Sequence, residues 1–119
     1  MIPATWIPHR RAEDNELLGY LSPVEGVADR FVPLTVFGHP LGDEGDEHDA
    51  RQILDETGLS YIASRWSLTL GGRPEPISVE IVEASPERLR VRNVDYGYEG
   101  DIGDIFVVDV PPGDVLRRL

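Results

Sequence analysis

Hydrophobic positions along this chain repeat with two different periods, and the change from one to the other falls between Asp46 and Leu70. Ala50, Ile53, Leu54 and Thr57 recur at intervals that put them on one face of a helix, while Glu47 and Arg51 stand one turn apart on the solvent side. Asp46 is a natural N-cap, because its short carboxylate accepts free N–H groups of the first turn, and Glu47 and Asp49 place negative charge at the positive end of the helix dipole. These signals predict a helix over about Glu47 to Thr57. Gly58 suits the left-handed stop, with Leu59 placed to touch Leu54 as a Schellman ending requires. After a turn through Ser60 to Ser64, Trp66, Leu68 and Leu70 alternate with Arg65, Ser67 and Thr69, the pattern of a half-buried strand.

Strand-like patterns lie on both sides of this segment. Trp6-Ile7 is a brief extended start that Pro3 and Pro8 confine to an edge or lead-in, and Pro8 to Asn15 reads as a polar loop. Glu16 to Leu21 and Phe31 to Phe37 predict two strands, with Gly19 marking a bulge or close packing and Pro33 an edge or a bulge. Gly71-Gly72 turns the chain. Ile77, Val79 and Ile81 alternate with polar residues, Ser85-Pro86-Glu87 turns, and Arg88 to Arg92 returns with Leu89 and Val91 on the other side from three arginines: a hairpin. Asp95 to Asp104 is an acidic glycine-bearing loop, Ile105 to Val110 a last strand, and Pro111-Pro112-Gly113 leads into a short tail.

The order of three strands, one helix and four strands, without βαβ alternation, predicts an α+β fold. About seven short, mostly antiparallel strands would form a small barrel or roll, with one amphipathic helix between the third and fourth. At 119 residues, 1–119 reads as a single domain.

Composition narrows the chemistry. With no cysteine there are no disulfides, thiol nucleophiles, thiolate zinc sites or iron–sulfur clusters. All 11 basic residues are arginine, so Schiff-base chemistry, a P-loop lysine and a lysine-borne prosthetic arm are excluded as well. A formal net charge of −11 disfavours binding to phosphate backbones and suits a basic partner or simple solubility. There is no long apolar run and no basic-then-hydrophobic start, so the expectation is a cytoplasmic protein that binds neither nucleic acid nor membrane.

Three clusters carry candidate chemistry, and each has a plainer reading. Trp6, His9, Arg10 and Arg11 join an aromatic to the densest positive charge and could hold a phosphate or carboxylate; alternatively the arginines pair with Glu13, Asp14 and Glu16. His39, Asp43, Asp46, His48 and Asp49 are metal-ligand types, but match neither an HExxH pair nor a calcium loop, and capping already accounts for those at the helix start. Asp95, Tyr96, Tyr98, Glu99, Asp101 and Asp104 could bind calcium or supply an acid–base pair, or else form a surface loop whose tyrosines pack back on the sheet. Tyr61 and Trp66 read as the seam between helix and sheet, or as the mouth of a pocket there. No GxSxG elbow is present, and no catalytic residue, metal or cofactor is assigned.

The stretches Trp6-Ile7-Pro8-His9-Arg10-Arg11, Glu16-Leu17-Leu18-Gly19-Tyr20, Gly58 to Ala63 before Trp66-Ser67-Leu68, and Glu83-Ala84-Ser85-Pro86-Glu87-Arg88 resemble a group of small uncharacterised actinobacterial proteins. Some of that group carry labels naming the E2 component of 2-oxoglutarate dehydrogenase. The resemblance implies no activity and transfers no functional residue. The label itself conflicts with this chain, which has no lysine for lipoate and no HxxxDG motif.

Together these observations favour a non-catalytic module that binds a protein partner, or itself, through a sheet edge or the acidic face. The alternative is a small-ligand protein or minor enzyme with a pocket between helix and sheet, using Trp6, His9, Arg10, Arg11, Tyr61 and Trp66.

Overall fold

The computed structural model describes residues 2–57 and 59–119. In chain order these form β1 (Ile7–Arg10), β2 (Leu17–Pro23), β3 (Phe31–Leu34), α1 (Glu47–Thr57), a 3₁₀ turn (Ser60–Ala63), β4 (Arg65–Leu68), β5 (Ile77–Ala84), β6 (Leu89–Asn93), β7 (Ile105–Val108), a second 3₁₀ turn (Gly113–Val115) and β8 (Leu116–Arg118). The fold is α+β with antiparallel strands, as expected, but there are eight strands in two sheets and the closed barrel is not formed.

The helix has the predicted bounds. Asp46 caps it, its Oδ1 accepting the Asp49 N–H at 2.7 Å, and Arg51 donates to Glu47 one turn back at 3.0 Å. Ala50 and Leu54 are buried against Leu18 and Leu21 of β2, forming the small core of the sheet β1-β2-β3. Leu59 packs against the same cluster, while the expected helix stop at Gly58 lies outside the described residues.

Gly19 shows both roles expected of it. The β1–β2 register slips beside it, and a Cβ there would collide with the Leu34 carbonyl of β3. The strand β1 also runs further than the proline-bounded start suggested, taking in His9 and Arg10, because Pro8 is tolerated on an edge strand.

The five-stranded sheet has the order β7-β6-β5-β4-β8. Its inner face carries the larger core, in which Trp66, Leu68, Val79, Leu89, Val91 and Leu116 pack with Phe37 and Tyr61. The predicted hairpin is β5–β6, with an added bulge at Val82. The tail after Pro111-Pro112 is not a loose end: Leu116 is fully buried and β8 pairs with β4.

A barrel fails to close because the outer edge of β3 is already used. The chain after β3 folds back along it: Phe31 and Gly45 exchange backbone hydrogen bonds of 2.7 and 2.9 Å, and Leu41 N–H donates to the Pro33 carbonyl at 2.9 Å. Among the described residues that edge is thus paired with its own following loop and not with β4. The strands therefore fall into two separate sheets, and the radius of gyration is 15.2 Å, above the about 13.5 Å of a compact chain this long.

Candidate functional site

The six residues singled out from the sequence are separated by the fold. Trp66 and Tyr61 are fully buried in the larger core, where Phe37 meets each edge-on at 5.7 and 5.6 Å. Trp66 donates its indole N–H to the Tyr61 carbonyl at 3.2 Å. Burial pushes the Tyr61 hydroxyl up to about 12, the Val36 backbone opposing this only in part.

His9 turns inward from β1 to the helix. Its Nε2 lies 2.7 Å from Asp55 Oδ1, and Arg51 Nη1 lies 2.9 Å from its Nδ1. A guanidinium can only donate, so Nδ1 accepts and Nε2 carries the hydrogen given to Asp55. Both ring nitrogens are thus engaged in tying β1 to α1. Arg10 donates to the Asn15 carbonyl, and Arg11 forms a two-pronged pair with Asp14 at 3.0 and 2.7 Å. The Arg11 contact and the Glu16 N–H hold the Asp14 carboxyl down at about 2. The ring of Trp6 lies apart from these, against Tyr20 at 6.1 Å.

The other clusters are also structural in large part. Among the described residues no three His, Asp or Glu side chains converge on a metal-binding arrangement. Asp95 accepts the Ser78 and Gly97 N–H groups, which lower its pKa. Tyr98 packs on Phe106 and under Arg73, whereas Tyr96 is 91% exposed rather than folded back on the sheet.

Clefts of about 910, 660, 450 and 330 Å³ mark the surface, and two features among them bear most on binding. The first is a cleft of about 660 Å³ between the two sheets, where Trp6, Leu34, His39, Pro111, Leu116 and Arg117 form much of the lining. A tight turn builds it: the Thr35 N–H donates to the His39 carbonyl, the His39 N–H donates to Thr35 Oγ1, and Gly38 between them has φ +88°. A Cβ on Gly38 would stand 2.9 Å from Pro111 and 3.0 Å from the Trp6 ring, so only glycine leaves room for that ring. His39 meets Trp66 edge-on at 4.8 Å, and burial, then the charge of Arg118, lowers its pKa.

The second feature is β7. It ends its sheet, pairing with β6 alone. Gly103, at φ +92°, donates to the Asn93 carbonyl, and Asn93 donates to the Asp104 carbonyl, a glycine bulge that sets the register. By the alternation of antiparallel pairing, Phe106 and Val108 then bond β6, while the backbone groups of Ile105 and Val107 face away from it. Their side chains are exposed, Val107 by 76%. The sheet curls enough that β7 and the end of β4 share a groove of about 330 Å³, lined by Leu68, Leu70, Phe106, Val108 and Val115 among others.

Arg117, Pro111 and Pro112 were not singled out from the sequence. The available signal was the apolar pair Val115-Leu116 in a short tail after a double proline. Compared with protein-family models, with curated proteins and with solved structures, the chain matches none of them. No helix is long and apolar enough to cross a membrane among the described residues.

Proposed function

We propose that this protein is a non-catalytic interaction module that takes up an extended segment of a partner protein along β7. The observation carrying this reading is Val107, an apolar side chain 76% exposed on an edge strand whose outward backbone groups have no neighbouring strand among the described residues. An added strand gains main-chain hydrogen bonds, and its alternate side chains enter the groove beside Phe106 and Val108.

Charge selects the partner. Asp104 and Asp109 flank the apolar run Ile105 to Val108 in a chain of net charge −11. Two copies pairing through β7 bring these carboxylates toward one another, which disfavours self-association. An aliphatic segment with arginine or lysine at both ends meets opposite charge instead.

Titration with the synthetic peptide Arg-Val-Thr-Val-Thr-Arg tests the reading. The expected result is saturable binding, slowed amide exchange at Ile105 and Val107, and weakening by salt. Val107→Pro removes an outward N–H and is expected to abolish it. Equal binding of an Asp-flanked peptide, or full binding by Val107→Pro, overturns the proposal.

A further inference from the structure

We propose that the cleft between the two sheets binds a small planar aromatic carboxylate, its ring lying among Trp6, Pro111 and Leu116 and its carboxylate directed to Arg117. The site is independent of β7. Its volume of about 660 Å³ falls within the roughly 300–1,000 Å³ usual for small-molecule sites. The lining has the composition such sites use, a mainly apolar wall with a few polar groups.

Three of those polar groups have no hydrogen-bond partner among the described residues: the Trp6 indole N–H, the Ser22 hydroxyl and the His39 ring. An enclosed molecule with acceptor oxygens would satisfy them. Arg117 is held only weakly where it stands: among the described residues its one ion pair is a 3.7 Å contact with Asp114 in which both side chains are largely exposed.

The ionisable groups lining this cleft are His39, Arg117 and the single carboxylate Asp114, with Arg118 acting on His39 from outside it, so the site lacks the chain's excess of acid. The net charge of −11 repels anions at long range, but at physiological salt that repulsion is screened within about 8 Å and the near arginine dominates. Burial and then Arg118 disfavour the charged form of His39, which suits it to hydrogen bonding while Arg117 supplies the charge. Since a bound carboxylate also favours protonated His39, binding is expected to strengthen as pH falls toward the lowered His39 pKa.

The test uses the full chain, ¹⁵N-labelled, with 2-naphthoate as the probe and neutral 2-naphthamide as its uncharged counterpart. The expected result is saturable shifts at the Trp6 indole N–H and the Gly38 and His39 amides, with the amide analogue bound about tenfold more weakly. Arg117→Gln removes charge at a solvent-exposed position that keeps the fold, and is expected to erase the difference between the two probes. Absence of saturation, equal affinity for both probes, an unchanged difference in Arg117→Gln, or shifts confined to residues outside the cleft would each overturn the inference.

Discussion

The two sheets end in opposite ways. The outer edge of β3 is sealed by its own following loop through Gly45 and Leu41, whereas β7 leaves Ile105 and Val107 facing solvent. Sealed edges stop strand addition and open ones invite it, so natural chains seldom leave an aliphatic edge bare without a use or a guard. On the proposed reading the guard is charge: Asp104 and Asp109 would deter a like-charged copy and leave the edge open to a basic segment. Their cores differ too: a broad aromatic-rich cluster under the five-stranded sheet, and a four-residue cluster of Leu18, Leu21, Ala50 and Leu54 under the three-stranded one.

The largest expected effect breaks the larger core. Trp66→Ala should cost about 3–5 kcal/mol by chemical denaturation, since it removes a fully buried indole on which Phe37 and His39 pack. If Leu54→Ala proved the more damaging, the small cluster would be the dominant core. Next, alkali should act through Tyr61. Its hydroxyl is raised from 10.0 to about 12, so the fold prefers the neutral form; stability is intact below pH 10 and falls by roughly 2 kcal/mol by pH 12. Tyr61→Phe should remove that component of the alkaline loss, and melting curves across pH 9–12 would show it.

A smaller effect would convert one edge into the other. Gly45→Pro deletes the N–H that bonds Phe31, with an expected loss of about 1–2 kcal/mol. It should also unseal β3, so that sedimentation detects self-association absent from the parent. The smallest change is Val107→Pro. Because the lost N–H faces away from β6, stability should move by about 0.5 kcal/mol or less. A large loss would mean that the β7 backbone is already engaged and the contrast between the edges is false.

Local signals made part of this structure readable in advance. The helix was marked by Asp46, by the spacing of Ala50 and Leu54 and by Glu47 beside Arg51, all acting within a turn or two of backbone. The β5–β6 hairpin was legible for the same reason, with Ser85 Oγ accepting the Glu87 and Arg88 N–H groups in its turn. The candidate site was much less so. Trp6 was noticed, but Arg117 belongs to a three-residue strand whose only apolar anchor is Leu116, too short to show a period. His39 stands beside acids in the sequence, but its ring meets Trp66 across the fold instead.

What this chain determines alone is whatever a few consecutive residues decide: where the helix starts, which strands alternate, and which chemistries the absence of cysteine and lysine removes. Tertiary structure decided the rest. The barrel stays open because a loop, and not β4, bonds the outer edge of β3, and the tail forms β8 on the edge of β4 that β5 leaves unpaired. Those outcomes depend on competition for backbone hydrogen bonds between distant segments, and that competition exists only once the chain has folded.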